Sequence, residues 1–171
     1  MKDLVPWAAD NGCYAAGERF CDERYLFWLI GLRRFAGTCL FATAPDVLGD
    51  AKATWERGRN WLGAIRTLGF KAALVAQDGF DLGATDWSSF DVLFIGGTDS
   101  FKLGRDIEAV IVMAKVHEKW VHVGRVNSRK RFRYFERLGV DSVDGTFVKF
   151  GPDVNLPQVI EWVGVRKNEK E

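Results

Sequence analysis

Ala72-Ala73-Leu74-Val75-Ala76-Gln77-Asp78-Gly79 is the stretch on which the fold turns. Five successive apolar residues without polar alternation describe a strand covered on both faces, as parallel strands are. The polar residues that follow close the strand with turn chemistry. The same grammar recurs along the chain. Val5–Ala9 runs into Asp10, Asn11 and Gly12; Thr38–Thr43 runs through Ala44 into Pro45 and Asp46, with Asp50 a turn later. Val92–Ile95 runs into Gly96, Gly97, Thr98 and Asp99. Trp120–Val123 precedes Gly124, Arg125 and Asn127, and Asp141–Val143 precedes Asp144, Gly145 and Thr146.

Helical patterns fill the gaps, at Asp22–Phe35, Lys52–Leu68, Ser100–Lys119 and Ser128–Leu138. In the second of these, Ala53, Trp55, Trp61, Leu62, Ile65 and Leu68 share a face. Gly69 and Gly139 are the expected helix stops, and Ser100 and Ser128 the expected N-caps. The apolar run Tyr25–Leu32 reads as a buried helix. Alternating strands and helices imply a parallel sheet, open or closed into a barrel. Six strands fall short of the eight of a full barrel. The expected fold class is therefore α/β, a reduced or incomplete (β/α) TIM-like barrel of parallel strands with no zinc subdomain. We expect one domain over residues 1–165 and a charged, flexible tail over 166–171.

The chain has 171 residues, 47% of them apolar, enough for a substantial core. No window approaches 18 uninterrupted apolar residues, and Lys2 and Asp3 precede no long apolar run, so neither a membrane span nor a signal peptide is expected. Cys13, Cys21 and Cys39 are odd in number and unpaired in spacing, which suits a reducing, cytoplasmic setting. With no Cys-x-x-Cys pair, and His117 and His122 far from the cysteines, no metal site is expected. Net charge is only +1, but Arg125, Arg129, Lys130, Arg131, Arg133 and Arg137 are opposed by Glu136 alone over their stretch. That run is either a solvated helix face or a phosphate-contacting patch.

Six strand ends thus bring acids, amides and glycines to one rim, the C-terminal edge at which such sheets place ligands. Any one of these acids also suits a turn or cap. Phosphate-loop, dinucleotide-fingerprint and serine-elbow spacings are absent. Carboxylate chemistry remains. Two carboxylates from different strands suit reactions at an anomeric carbon, one as nucleophile and one as proton carrier. A Mg²⁺ site built from Asp46, Asp50 or Asp78 is the competing reading.

The ordered blocks resemble a family. Asp10-Asn11-Gly12-Cys13-Tyr14 looks like the Asp-Ser-Gly-Gly/Ala-Phe/Tyr motif of the tRNA-guanine transglycosylases. Val75-Ala76-Gln77-Asp78-Gly79 resembles their Gln-Gly segment, and Phe94-Ile95-Gly96-Gly97-Thr98 their Ile-Gly-Gly-Leu segment. His122-Val123-Gly124-Arg125, with Leu138-Gly139-Val140-Asp141-Ser142-Val143-Asp144, resembles their Gly-Val-Gly and Gly-Val/Ile-Asp-Met-Phe-Asp pair. The resemblance implies Asp144 as the nucleophile on C1′ and Asp10 as the general acid/base. It implies Asp46, Gln77, Gly96 and Gly97 as the groups that bind the base, with Tyr14 or Phe101 available to stack on it. It implies no cofactor.

The family's Cys-x-Cys-x-x-Cys…His zinc module is missing, and Gly145-Thr146-Phe147 replaces the usual Pro-Thr-Arg. A small, zinc-free chain of this kind resembles the DpdA-type transglycosylases of phages and bacteria, which place 7-deazaguanine bases in DNA. The expected partner is then DNA, with guanine released and a free 7-deazaguanine base taken up. Arg125, Arg129, Lys130, Arg131 and Arg133 would hold the phosphates beside the target base, which must leave the duplex at a cost of about a few kcal/mol. A tRNA substrate, a non-catalytic nucleobase- or nucleic-acid-binding module and a hydrolytic glycosidase are the alternatives. A homodimer or a partner protein remains open as a source of missing surface.

Overall fold

The computed structural model describes residues 5–164. The charged tail expected at 166–171 lies outside them. Six strands form, β1 (Trp7–Ala9), β2 (Cys39–Thr43), β3 (Ala72–Ala76), β4 (Val92–Ile95), β5 (Trp120–Val123) and β6 (Ser142–Val143). They follow one another in the sheet in chain order, which is the strand succession of a TIM-like barrel with six strands in place of eight. All six strands match the sequence expectation to within two residues at either end.

The chain divides into two compact units, Met1–Val121 and His122–Glu171. In the first, parallel pairing is fixed by Trp7 opposite Cys39, Ala42 opposite Ala72 and Leu74 opposite Leu93. Every residue of β3 is buried, so both faces of the strand are covered, as its unbroken apolar run requires. Phe41, Phe90, Leu93 and Ile95 are almost wholly inaccessible. Burial of each such side chain contributes about 1.5–3 kcal/mol. The start of β4 is tied down by Asp91. Its carboxylate accepts from Arg66 Nε at 3.0 Å, Arg66 Nη2 at 2.8 Å and the Ala72 N–H at 2.8 Å. Partial burial works against the charge, yet these donors prevail and hold the carboxyl below its ordinary range.

The helices of this unit are α1 (Cys13–Ala16), α2 (Asp22–Leu32), α3 (Ala51–Thr67), α4 (Asp99–Lys102) and α5 (Ile107–Val116). Asp50 caps α3, its Oδ1 accepting from the Ala53 N–H at 2.9 Å. Gly69, at φ +91°, stops the chain beyond it as expected.

Two helix expectations are corrected. The single helix expected over Ser100–Lys119 is split into α4 and α5, and the cap is Thr98, whose Oγ1 accepts from the Phe101 N–H at 3.3 Å. The Tyr25–Leu32 run is not buried throughout: Tyr25 and Leu29 are, but Phe27 and Trp28 are 74% and 47% exposed. Consecutive apolar residues advance about 100° each around a helix, so only the i, i+4 pair faces the sheet.

In the second unit His122 and Val123 pair in parallel with Ser142 and Val143. Helix α6 (Arg129–Arg137) starts at the expected cap, with Ser128 Oγ accepting from the Arg131 N–H at 3.3 Å. A further helix, α7 (Pro152–Val163), has no counterpart in the sequence expectation. Pro152 sits in its first turn, where no amide hydrogen is needed, and Trp162 supplies its buried anchor.

Candidate active site

In the first unit, three strand ends converge on Asp46. Asn11, two residues beyond β1, is buried and uses its whole side chain. Its Oδ1 accepts from the Cys13 N–H at 2.7 Å, and its Nδ2 donates to the Ala44 carbonyl at 2.8 Å and to Asp46 Oδ1 at 3.0 Å. The Asn11 N–H donates to Thr43 Oγ1 at 2.7 Å, joining the ends of β1 and β2. Gln77, at the end of β3 and 1% exposed, donates from Nε2 to Asp46 Oδ2 at 2.6 Å. Its Oε1 accepts from the Gly49 N–H at 2.9 Å, which fixes the loop between β2 and α3. Each oxygen of Asp46 is therefore clasped by one amide, and each keeps a lone pair for a further donor.

Asp46 opens onto a cavity of about 270 Å³ that is also lined by Cys13, Tyr14, Leu48 and Arg57. Arg57 comes from α3 and was not singled out from the sequence. Its Nη1 donates to the Asp46 carbonyl at 3.3 Å, its Nη2 to Asp22 at 3.0 Å, and its guanidinium lies 4.8 Å from the Phe20 ring centre. Burial pushes the Cys13 thiol up to about 11, so the sulfur stays protonated near neutrality.

Gly96 and Gly97 stand where their neighbours leave no room. A Cβ at Gly96 would lie 2.9 Å from Val75 Cγ1 and 3.1 Å from Gln77 Nε2. Gly97 has φ +68°, and a Cβ there would lie 2.6 Å from Phe101 Cδ1 and 2.9 Å from Asp78 Oδ2. Glycine at both positions lets β3 and β4 end side by side with Gln77 between them. Asp78 accepts from the Thr98 N–H at 2.8 Å and the Thr98 hydroxyl at 2.5 Å. Of Asp46, Asp50 and Asp78, any of which the sequence offered as a Mg²⁺ ligand, Asp46 accepts from Asn11 and Gln77, Asp50 from Ala53 and Asp78 from Thr98. Among the described residues no group of three or more His, Cys, Asp or Glu side chains comes together in a way that could hold a metal ion. Asp10 is exposed at the end of β1, and its Oδ1 accepts from the Gly12 N–H at 3.4 Å.

In the second unit Asp144 follows β6 with an exposed carboxylate held at both oxygens. Oδ1 accepts from the Arg125 N–H at 2.9 Å, and Oδ2 lies 3.0 Å from His122 Nε2. His122 Nδ1 is 2.8 Å from Ser142 Oγ. A carboxylate only accepts, so Nε2 carries hydrogen, and in the neutral ring Nδ1 accepts from the Ser142 hydroxyl. This relay orients Asp144 and was not read from the sequence, although His122 stands inside the block that suggested the family. Arg125 has φ +61°, a left-handed conformation that turns its amide onto Asp144.

The basic run is partly neutralised. Arg129 meets Glu161 at 3.4 Å and Arg133 meets Glu136 at 2.6 Å. Lys130 is exposed, and Arg131 is half-buried.

No protein-family model matches the sequence, and no curated protein matches it. Solved structures do. Two mutant forms of the tryptophan synthase alpha-subunit from the hyperthermophile Pyrococcus furiosus superpose with TM-scores of 0.58 and 0.59 at 15% and 16% identity. Each match covers 94% of this chain and 67% of the other. These are TIM-barrel proteins, and the likeness establishes the fold as TIM-barrel-like. Among the described residues no helix is long and apolar enough to cross a membrane.

Proposed function

We propose that this chain is a base-exchanging transglycosylase that replaces guanine in DNA with a 7-deazaguanine base. The observation that carries the reading is the clasped Asp46 carboxylate beside a cavity of about 270 Å³. The edge of guanine presents two adjacent N–H donors, and a carboxylate with one free lone pair on each oxygen accepts both. Tyr14, 68% exposed on the same cavity, offers a ring face for the base. In this reading Gln77, Gly96 and Gly97 act by holding Asp46 and the strand ends around it.

The resemblance in sequence assigns the remaining roles. Asp144 attacks C1′ and displaces guanine, and Asp10 protonates the departing base and deprotonates the incoming one. An oriented carboxylate is what a nucleophile at an anomeric carbon requires, and the His122 and Arg125 bonds to Asp144 supply that orientation. The lone pair that attacks must be one those bonds leave over.

The test is an exchange assay with radiolabelled guanine on separate pools of duplex DNA and tRNA. Incorporation into DNA that falls by about a thousandfold or more in Asp144→Asn supports the proposal. Incorporation into tRNA alone moves the substrate to RNA. Base release without uptake identifies a hydrolase. No turnover from a folded protein leaves a binding module.

A further inference from the structure

A second, shallow cavity of about 330 Å³, wide open to solvent, lies in the first unit with Asp10 in its lining. It is lined by Arg19 from the turn after α1, by Phe20, and by Arg24, Tyr25 and Trp28 from α2. Its size is at the lower end of the roughly 300–1,000 Å³ range of small-ligand sites.

Two arginines border it. Arg57, Arg66, Arg129 and Arg133 each lie within 4 Å of a carboxylate. Arg19 and Arg24 have no such partner among the described residues, although both border a single concavity. Two unpaired guanidinium groups facing one space are a fork for a phosphate, which accepts bidentate bonds from each.

Beside the arginines the lining is aromatic and fixed in place. Trp28 is 47% exposed and stacks on Tyr25 with ring centres 6.0 Å apart and planes 26° apart. Tyr25 is itself locked, since its buried hydroxyl donates to the Thr43 carbonyl at 2.8 Å. Such a held ring is a platform for a base of any identity, because every base has a π-face. Asn11 lines this cavity and hydrogen-bonds Asp46, which lines the other, so the two cavities meet at that side-chain pair.

We infer that this cavity is a nucleotide subsite, in which Arg19 and Arg24 hold a phosphate and Trp28 stacks on the attached base. The inference rests on the transglycosylase reading for the role it gives the subsite: it seats the nucleotide flanking the one being exchanged. The same chemistry fits a nucleotide within a DNA strand and a free mononucleotide.

The experiment measures binding of the full chain to a short single-stranded oligodeoxynucleotide, to dGMP and to deoxyguanosine, each across a salt series. We expect the double variant Arg19→Gln/Arg24→Gln to bind the oligonucleotide about tenfold or more weaker than wild type. Its salt dependence should also be shallower, by roughly 0.7 in log–log slope for each phosphate the arginines no longer neutralise. Trp28→Ala weakens binding by about fivefold or more with its salt slope intact. Deoxyguanosine, which has no phosphate, is unaffected by removal of the arginines. Tight binding of dGMP identifies a free nucleotide as the occupant, and binding of the oligonucleotide alone identifies a strand. Both arginines are exposed, so the double variant should melt with wild type.

Undiminished affinity or an unchanged salt slope in the double variant overturns the subsite. So does failure of the wild type to bind either phosphorylated ligand. Base exchange that proceeds equally in wild type and the double variant removes this subsite and leaves the transglycosylase reading standing. Nucleotide binding through Arg19 and Arg24 without any base exchange does the reverse.

Discussion

Gln77 Nε2 lies 2.6 Å from Asp46 Oδ2, so a fully buried amide at the end of β3 sets the direction of a half-buried carboxylate at the end of β2. The same amide accepts from the Gly49 N–H, so one side chain holds both the acid and the loop that carries it. Asn11 matches it from the β1 side. Asp46 therefore has its geometry imposed from two neighbouring strands, as the base-reading role proposed for it requires.

Gln77→Leu should expose the cost of that arrangement. The substitution leaves the Gly49 N–H and one Asp46 oxygen without partners in a half-buried setting, a loss of about 1–3 kcal/mol. For a domain of this size we expect the melting temperature to fall by roughly 3–10 °C in thermal denaturation. Asp46→Asn instead puts an amide where two donors already point, and guanine binding should weaken about tenfold or more. A Gln77→Leu variant as stable as wild type would remove the holding role.

Gly97 and Gly79 separate backbone strain from crowding. Both have positive φ, +68° and +81°, but a Cβ meets Phe101 at 2.6 Å in the first case and nothing within 4 Å in the second. Gly79→Ala should cost about 1–2 kcal/mol, the left-handed penalty alone. Gly97→Ala should cost about 1–3 kcal/mol more, because Phe101 or Asp78 must move. Urea denaturation midpoints read the difference, and equal destabilisation at the two sites would contradict it.

Alkaline pH should destabilise the fold in a defined window. Burial raises the Cys13 thiol from its ordinary 9.0 to about 11 and raises the Tyr25 phenol above its ordinary 10.0. A group whose pKa is higher in the folded state holds its proton longer there than in the unfolded chain. Its contribution is complete below the unfolded value and lost as pH climbs through the folded one. Stability should therefore be unaffected by these groups up to about pH 9 and fall between pH 9 and 11 and beyond. Melting temperatures against pH provide the check, with a shallower alkaline decline expected in Cys13→Ala and in Tyr25→Phe. An identical slope in both variants would reassign the effect.

Much of the architecture was legible because its signals are local. Ala72–Ala76 and Val92–Ile95 are strands with the bounds expected, since an unbroken apolar run closed by polar turn residues has few other uses. Ser128, Gly69 and Gly139 mark helix ends for equally local reasons. Helix α7 escaped because Pro157 stands inside it, and a sequence reader takes an internal proline as a break. The split at Gly104 escaped because a Cβ there would lie 2.7 Å from the Ser100 carbonyl, a close approach visible only in space.

The site divides the same way. The sequence by itself determined which residues reach the strand ends, and so that Asp10, Asp46, Gln77 and Asp144 stand at the carboxyl edge of their strands; chain order and strand polarity are enough for that. Only the tertiary structure decided what each does there: that Gln77 is spent on Asp46 and Gly49, that Arg129 and Arg133 meet acids of their own unit, and that Arg19 and Arg24 do not. The physical reason is range. Apolar periodicity and turn chemistry act over a few residues, whereas hydrogen bonds between side chains about 30 positions apart exist only after the strands have paired.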